Sequence, residues 1–381
     1  MFTTSNRTRV APSSRQVRAL MAAVLVVALL APLQGGAVLA KASPSSQSGS
    51  TMTVFATGFD NPRGLKFGPD GFLYVAEGGK GGTDSTEGQC EQVIPQVGPY
   101  TGGMTARISK VSPDGERSTV IDGLPSSQTS LDLGSLVSGV ADVAFMKGQL
   151  YALLAGAGCS HGIPDVPNGI IRINSDGTWT LIADLSAFQK ANPVANPEEE
   201  DFEPDGTWYS MVAVGNSFYA IEPNHGELDR VTLKGAIQRV SDISESQGHI
   251  VPTSIDFHKG HFFVGNLSTF PIVDGSAKVL EISRKGKVSD FLTGFTNVVA
   301  AVFGKDGALY VLESSTGNPF PTPGTGLVVR VDKHGDRETI ASGLSVPSAM
   351  TFGPDGALYV SNFGYGAPPG FGEIVRIEVG D

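Results

Sequence analysis

The chain is short of positive charge. Its 27 lysines and arginines stand against 38 aspartates and glutamates, a formal net charge of −11. That balance argues against nucleic acid or an anionic membrane surface as partner. Cysteine is nearly absent, with Cys90 and Cys159 alone, and the six histidines show no H-x-H or H-E-x-x-H spacing. No G-x-S-x-G elbow, P-loop or dinucleotide fingerprint occurs, and the serines show no triad spacing. Long apolar runs are missing too. The best one, Ala19 to Ala31, is too short for a comfortable membrane span and has no cysteine close behind it to carry a lipid. It follows Arg7, Arg9, Arg15 and Arg18 and precedes the small-residue triplets Val38-Leu39-Ala40 and Ala40-Lys41-Ala42. This is the layout of an export signal over residues 1–42. Ser43 to Ser50 then reads as a flexible linker. The expected location is secreted or periplasmic, with no membrane span after cleavage.

What the chain has in quantity is glycine and proline, 49 and 24 residues, the mark of many short strands joined by tight turns. Asn61 to Gly79 sets the pattern: Leu65 and Phe67 alternate into a core, Pro69-Asp70-Gly71 turns the chain, and Leu73-Tyr74-Val75 begins the return strand. The same sentence recurs around Phe303 to Val311 and Phe352 to Val360. Looser copies end in Leu150-Tyr151, Phe218-Tyr219 and Phe262-Phe263. An R-[I/V] strand follows most hairpins, as at Arg107-Ile108, Arg172-Ile173, Arg230-Val231, Arg330-Val331 and Arg376-Ile377, and a short outer strand follows that. Six four-stranded units of this length are propeller blades. The last unit is one strand short, while the first begins with a spare one, Thr51 to Gly58, which completes the sixth blade. The sequence therefore predicts an all-β, six-bladed propeller over residues 51–381, closed by its N-terminal strand.

The turns assign two faces. Short Gly-rich turns lie on one, and the long segments 78–106, 125–139, 155–169, 185–207, 267–277 and 314–326 share the other. Cys90 and Cys159 fall on that face in neighbouring blades, and in an exported chain they are expected to form a disulfide. The residue four beyond each hairpin anchor is Glu77, Leu154, Glu222, Asn266, Glu313 and Asn362 in turn. Such a ring of oxygen donors suits Ca²⁺ or Mg²⁺, or caps the following loops. His161, His225 and His249 share this face and offer a metal or acid–base site, or loop hydrogen bonds. Arg63, Asp142 and Asn297 lie near the channel, where Arg63 and Asp142 are placed to pair or to meet a ligand.

Several runs carry a family resemblance: Asn61-Pro62-Arg63-Gly64-Leu65, Gly98-Pro99-Tyr100-Thr101-Gly102, Cys159-Ser160-His161-Gly162, Phe202-Glu203-Pro204-Asp205-Gly206-Thr207-Trp208-Tyr209, Glu222-Pro223-Asn224-His225-Gly226 and Gly317-Asn318-Pro319-Phe320. With these the chain resembles the ScyD/ScyE family of exported bacterial proteins, over essentially the whole mature region. The resemblance implies a propeller and an export route, and carries no catalytic residue. The hairpins resemble NHL-type and gluconolactonase-like propellers more weakly. The expected function is binding of a small molecule or protein on the long-loop face, by a monomer, with no established catalysis. The alternatives are a Ca²⁺- or Mg²⁺-dependent lyase or lactonase-type enzyme and a protein-interaction scaffold.

Overall fold

The computed structural model describes residues 50–129, 136–197 and 201–380. The expected signal peptide and all but the last linker residue lie outside the described residues, as do Glu198 to Glu200. Six antiparallel sheets follow one another along the chain. Four sheets, spanning residues 140–184, 210–242, 252–295 and 298–344, are blades 2 to 5. Blade 6 joins residues 349–377 to the N-terminal strand β1 (Met52–Phe59), whose register runs from Met52 opposite Ile377 to Phe59 opposite Gly372. The ring is closed as the sequence predicts.

The repeated hairpin sentence has a local cause. At each of three turns a glycine takes φ near +80°, Gly71, Gly307 and Gly356, where a Cβ would be strained. The aspartate before it accepts from the tyrosine of the return strand: Tyr74 to Asp70 at 2.9 Å, Tyr310 to Asp306 at 3.2 Å, Tyr359 to Asp355 at 3.0 Å. The arginine of the R-[I/V] strand reaches the same carboxylate, Arg330 to Asp306 at 2.8 Å and Arg376 to Asp355 at 2.9 Å. The motif thus ties three strands of a blade together on the short-turn face. Apolar side chains fill the seams between blades, for example Phe59, Leu65, Leu73, Val75 and Ile374 between blades 6 and 1.

Blade 1 departs from the expected four strands. After β2 (Pro62–Phe67) and β3 (Leu73–Glu77), strands β4 (Thr101–Val111) and β5 (Arg117–Gln128) run on past the propeller face. They gain a fifth partner, β6 (Val137–Ser138), and a bridge from Asp84 to Gly102. The segment 125–139, expected to be loop, is therefore partly a raised sheet at the mouth of the channel. Two short helices stand in the blade connections, Leu185–Ala191 within the long segment 185–207 and Ile243–Gln247 between blades 3 and 4, each begun by an aspartate cap, Asp184 and Asp242.

Near the axis, successive blades are stitched by hydroxyls donating to carbonyls. Ser210 donates to Thr253 O (2.8 Å), Thr253 to Val298 O (2.7 Å), Ser314 to Pro347 O (2.9 Å) and Ser348 to Pro62 O (2.7 Å). Between blades 2 and 3 the link is a carboxylate, Asp142 Oδ2, accepting from the Met211 N–H at 2.9 Å.

Candidate functional site at the axial mouth

The ring of acidic and amide residues forms where the sequence places it, but its side chains turn to the backbone crossing between blades. Glu77 accepts from the Asp60 N–H (2.7 Å), from the Arg107 guanidinium (2.8 and 2.7 Å) and from the Ser109 hydroxyl. Glu222 accepts from the N–H groups of Thr207 (2.9 Å) and His225 (2.6 Å). Asn266 donates to Ile250 O and accepts from Lys278 N–H, while Asn362 accepts from Ser345 N–H and donates to Glu373. Glu313 accepts from the Thr296 N–H, and its burial pushes the carboxyl up to about 7. Each residue reaches back about one hairpin to hold its own blade crossing.

A divalent cation fits this arrangement poorly. Both Glu222 oxygens are engaged by N–H donors, Glu77 is neutralised by Arg107, and Arg117 stands 3.9 Å from Glu77. Among the described residues no three His, Cys, Asp or Glu side chains are grouped to hold a metal. Arg107 and Arg117 lie on the outer side of Glu77 and supply its counter-charge.

The three histidines of this face converge on a single segment, 201–206. His161 is fully buried; its Nε2–H donates to Gly206 O (3.3 Å) and its Nδ1 accepts from the Ser127 hydroxyl (2.8 Å), which fixes a neutral tautomer. Burial holds it at about 4. The His225 Nε2–H donates to Glu203 O at 3.1 Å, and His249 Nε2 lies 3.3 Å from Asp201 Oδ2. His258, outside this group, stacks on Phe303 with ring centroids 4.0 Å apart.

Cys90 and Cys159 form the expected disulfide, with Cα atoms 6.3 Å apart. It pins the insertion 78–100 to the short turn carrying His161. Beneath the insertion, the Tyr100 hydroxyl donates to Glu203 Oε1 at 2.7 Å. Burial drives the Glu203 carboxyl well above the usual range, and its Oε2 has no hydrogen-bond partner among the described residues and sits 3.8 Å from His161 Nε2. Tyr100 and Glu203 were not singled out from the sequence as site residues. The only signal for them was their place in the runs G-P-Y-T-G and F-E-P-D-G-T-W-Y.

The axis itself holds a cavity of about 80 Å³, lined by the inner strands of the blades. At its long-loop end the Arg63 guanidinium donates to Val137 O of the raised sheet and to the Tyr209 oxygen, and lies 5.4 Å from the Tyr365 ring centroid. Tyr209 spans the opening and donates to Ser348 O at 2.9 Å. Asp142 lines the cavity lower down. It does not pair with Arg63: its oxygens accept from the N–H groups of Val143 (2.8 Å) and Met211, and Gly64 packs so close that a Cβ there would meet Asp142 Oδ1 at 2.0 Å. Burial raises the Asp142 carboxyl to about 6. Asn297 is set apart from this group; buried at φ +58°, its side chain has no hydrogen-bond partner among the described residues, while its carbonyl accepts from Ser314 N–H.

No family model matches the sequence, and no curated protein matches it in sequence. Solved structures do match the fold. A Bacteroides thetaiotaomicron protein of unknown function superposes with a TM-score of 0.55 at 11% identity, over 86% of this chain and 76% of that one. A gluconolactonase from Xanthomonas campestris gives 0.51 at 10% identity, over 88% and 95%. A luciferin-regenerating enzyme gives 0.52 at 9% identity, over 87% and 96%. At these identities the likeness is one of fold, the six-bladed propeller, which hosts unlike activities.

Proposed function

We propose that this chain is an exported bacterial propeller of the ScyD/ScyE kind that binds a small molecule from its long-loop face, at the axial mouth, without catalysis. The observation that carries this reading is the axial cavity beneath a mouth assembled from three blades. Arg63, Tyr209, Ser348 and Tyr365 meet there under the raised sheet of blade 1. Concave, partly apolar sites with a few convergent polar groups are the usual form of ligand sites. The disulfide and the contacts on segment 201–206 hold the surrounding loops still, which favours binding to a preformed surface.

A second reading, hydrolytic or lyase chemistry, draws on the Tyr100–Glu203–His161 group, where a buried carboxylic acid has an unoccupied oxygen. The gluconolactonase likeness gives it a fold-level precedent. The side chains at Glu222 and its neighbours are committed to backbone donors, so this reading rests on Glu203 without a divalent ion. The test is a thermal-shift screen of metabolites, with hits mapped by hydrogen exchange and assayed for turnover. Protection centred on 62–64, 207–210 and 347–348 without product supports binding. Turnover lost in Glu203→Gln would replace it with the enzyme reading, and protection confined to the outer strands or the short-turn face would remove both.

A further inference from the structure

Among the described residues, Arg63 has a charge that no carboxylate balances. The other enclosed arginines on this face have carboxylates, Arg107 with Glu77 at 2.7 Å and Arg239 with Glu227. The groups acting on Arg63 are instead Tyr209, Tyr365 and the Val137 carbonyl, none of them anionic at neutral pH. A guanidinium cannot shed its proton in a protein, so burial leaves it charged. Removing such a charge from water without a counter-ion is costly. The blades surround Arg63, yet it remains part-exposed, because it faces the axial cavity.

The rest of the cavity does not supply the missing charge. Tyrosine aside, its ionisable lining is Arg63, Lys66 and Asp142. Two cations therefore face one carboxylate, and that carboxylate is already held by two backbone N–H groups. In a chain whose formal net charge is −11, the axis carries a local positive excess.

We propose that the axial cavity is a binding site for the carboxylate of a small organic acid, with Arg63 as its counter-charge. A guanidinium offers five N–H donors in a planar fork that matches a carboxylate, and the identified protein contacts use two of them. A cavity of about 80 Å³ has room for about three waters at about 30 Å³ each. That size suits a small carboxylate of roughly two to three carbons. Tyr209 forms the roof, and its hydroxyl is a further donor that the acid gains if the Ser348 contact opens.

This inference rests on the axial mouth being the binding site, and the experiment separates the two. The purified protein is titrated, at matched ionic strength in chloride, with acetate, pyruvate and lactate, with acetamide and lactamide, and with inorganic phosphate. Melting temperature and heat of binding are both recorded. At least one acid is expected to raise melting by a few degrees, saturably, while its amide does not. Arg63→Lys should weaken that acid about tenfold and Arg63→Gln should abolish its binding, in each case with unchanged circular dichroism. Amides binding as well as acids would overturn the anion assignment and leave the axial-mouth reading in place. Phosphate binding in place of the acids would overturn the carboxylate class, as would the absence of any acid response. These comparisons are made on the unmodified chain, so they hold even if an Arg63 variant fails to fold.

Discussion

The phenolic hydroxyl of Tyr209, from the entry to blade 3, crosses the propeller axis and donates to the carbonyl of Ser348, at the entry to blade 6, at 2.9 Å. These blades are opposite one another, so the contact is a strut across the mouth rather than a seam between neighbours. It shares the Tyr209 oxygen with Arg63 and makes that residue both roof and ligand-side donor. Tyr209→Phe removes the strut and keeps the ring. The expected cost is about 1 kcal/mol in chemical denaturation, with faster hydrogen exchange at 347–349. Unchanged exchange there would show that the strut is not maintained in solution.

Closure by β1 is tested by deletion. Without residues 51–59, strand Gly372–Ile377 becomes an open edge and Phe59, Ala56 and their contacts with Leu65 and Ile374 are lost. The truncated chain should melt far below the intact one and sediment as aggregate. Equal melting of the two would remove the closing role.

The disulfide closes a loop of 69 residues, worth about 4 kcal/mol in the chain-entropy model. Replacing Cys90 and Cys159 by serine together should lower stability by up to that amount. The loss should concentrate in the insertion 78–100 and the turn at 159–161, read as proteolytic sensitivity of those segments ahead of the blades. Uniform loosening of all six blades would contradict this.

Glu313 sets a pH dependence. Its folded-state value of about 7 lies above the ordinary carboxyl value of 4.5. Its stabilising protonated form is therefore fully present below about 4.5 and is lost as pH rises through 7. Over that window the native state loses up to about 3 kcal/mol from this group. Glu313→Gln cannot ionise, so the variant should gain on the parent between pH 5 and pH 8. A constant difference between the two melting curves across that range would mean Glu313 ionises normally.

Calcium tests the chemistry of the ring directly. Glu222→Gln should cost about 1–2 kcal/mol through its lost N–H contacts, and should do so equally with Ca²⁺ present or chelated. A Ca²⁺-dependent rise in melting of the parent that vanishes in the variant would restore the ring as an ion site.

The fold was legible because its signals are local. Gly-x-Asp-Gly turns, the tyrosine four residues beyond each turn aspartate, and the arginine of the third strand act within one blade, so each repeat declares itself. The disulfide was legible from position alone. The site was only partly so. Glu77, Glu222 and Asn266 were correctly placed on the long-loop face, but the sequence does not reveal which backbone N–H a carboxylate meets one hairpin earlier. The hydroxyl contact of Tyr209 with Ser348 joins residues 139 apart in sequence, beyond the reach of any local pattern. The raised sheet of blade 1 was missed because Val137 and Ser138 make a strand of two residues, too short for any periodicity.

The order in which the chain is made bears on the closing strand. β1 is the first part of the propeller to be synthesised, and its partner Gly372–Ile377 is nearly the last. The same seam carries the Gly370 N–H donating to Asp60 across 310 residues of sequence. Until the final residues arrive, β1 must wait as a single unpaired ribbon with Phe59 uncovered. The intermediate blades can each form from contacts within about fifty residues, but the circle itself is a late, non-local event, and such steps are slow. The wait, rather than the stability of the finished ring, is when this molecule is most exposed to pairing with another copy of itself.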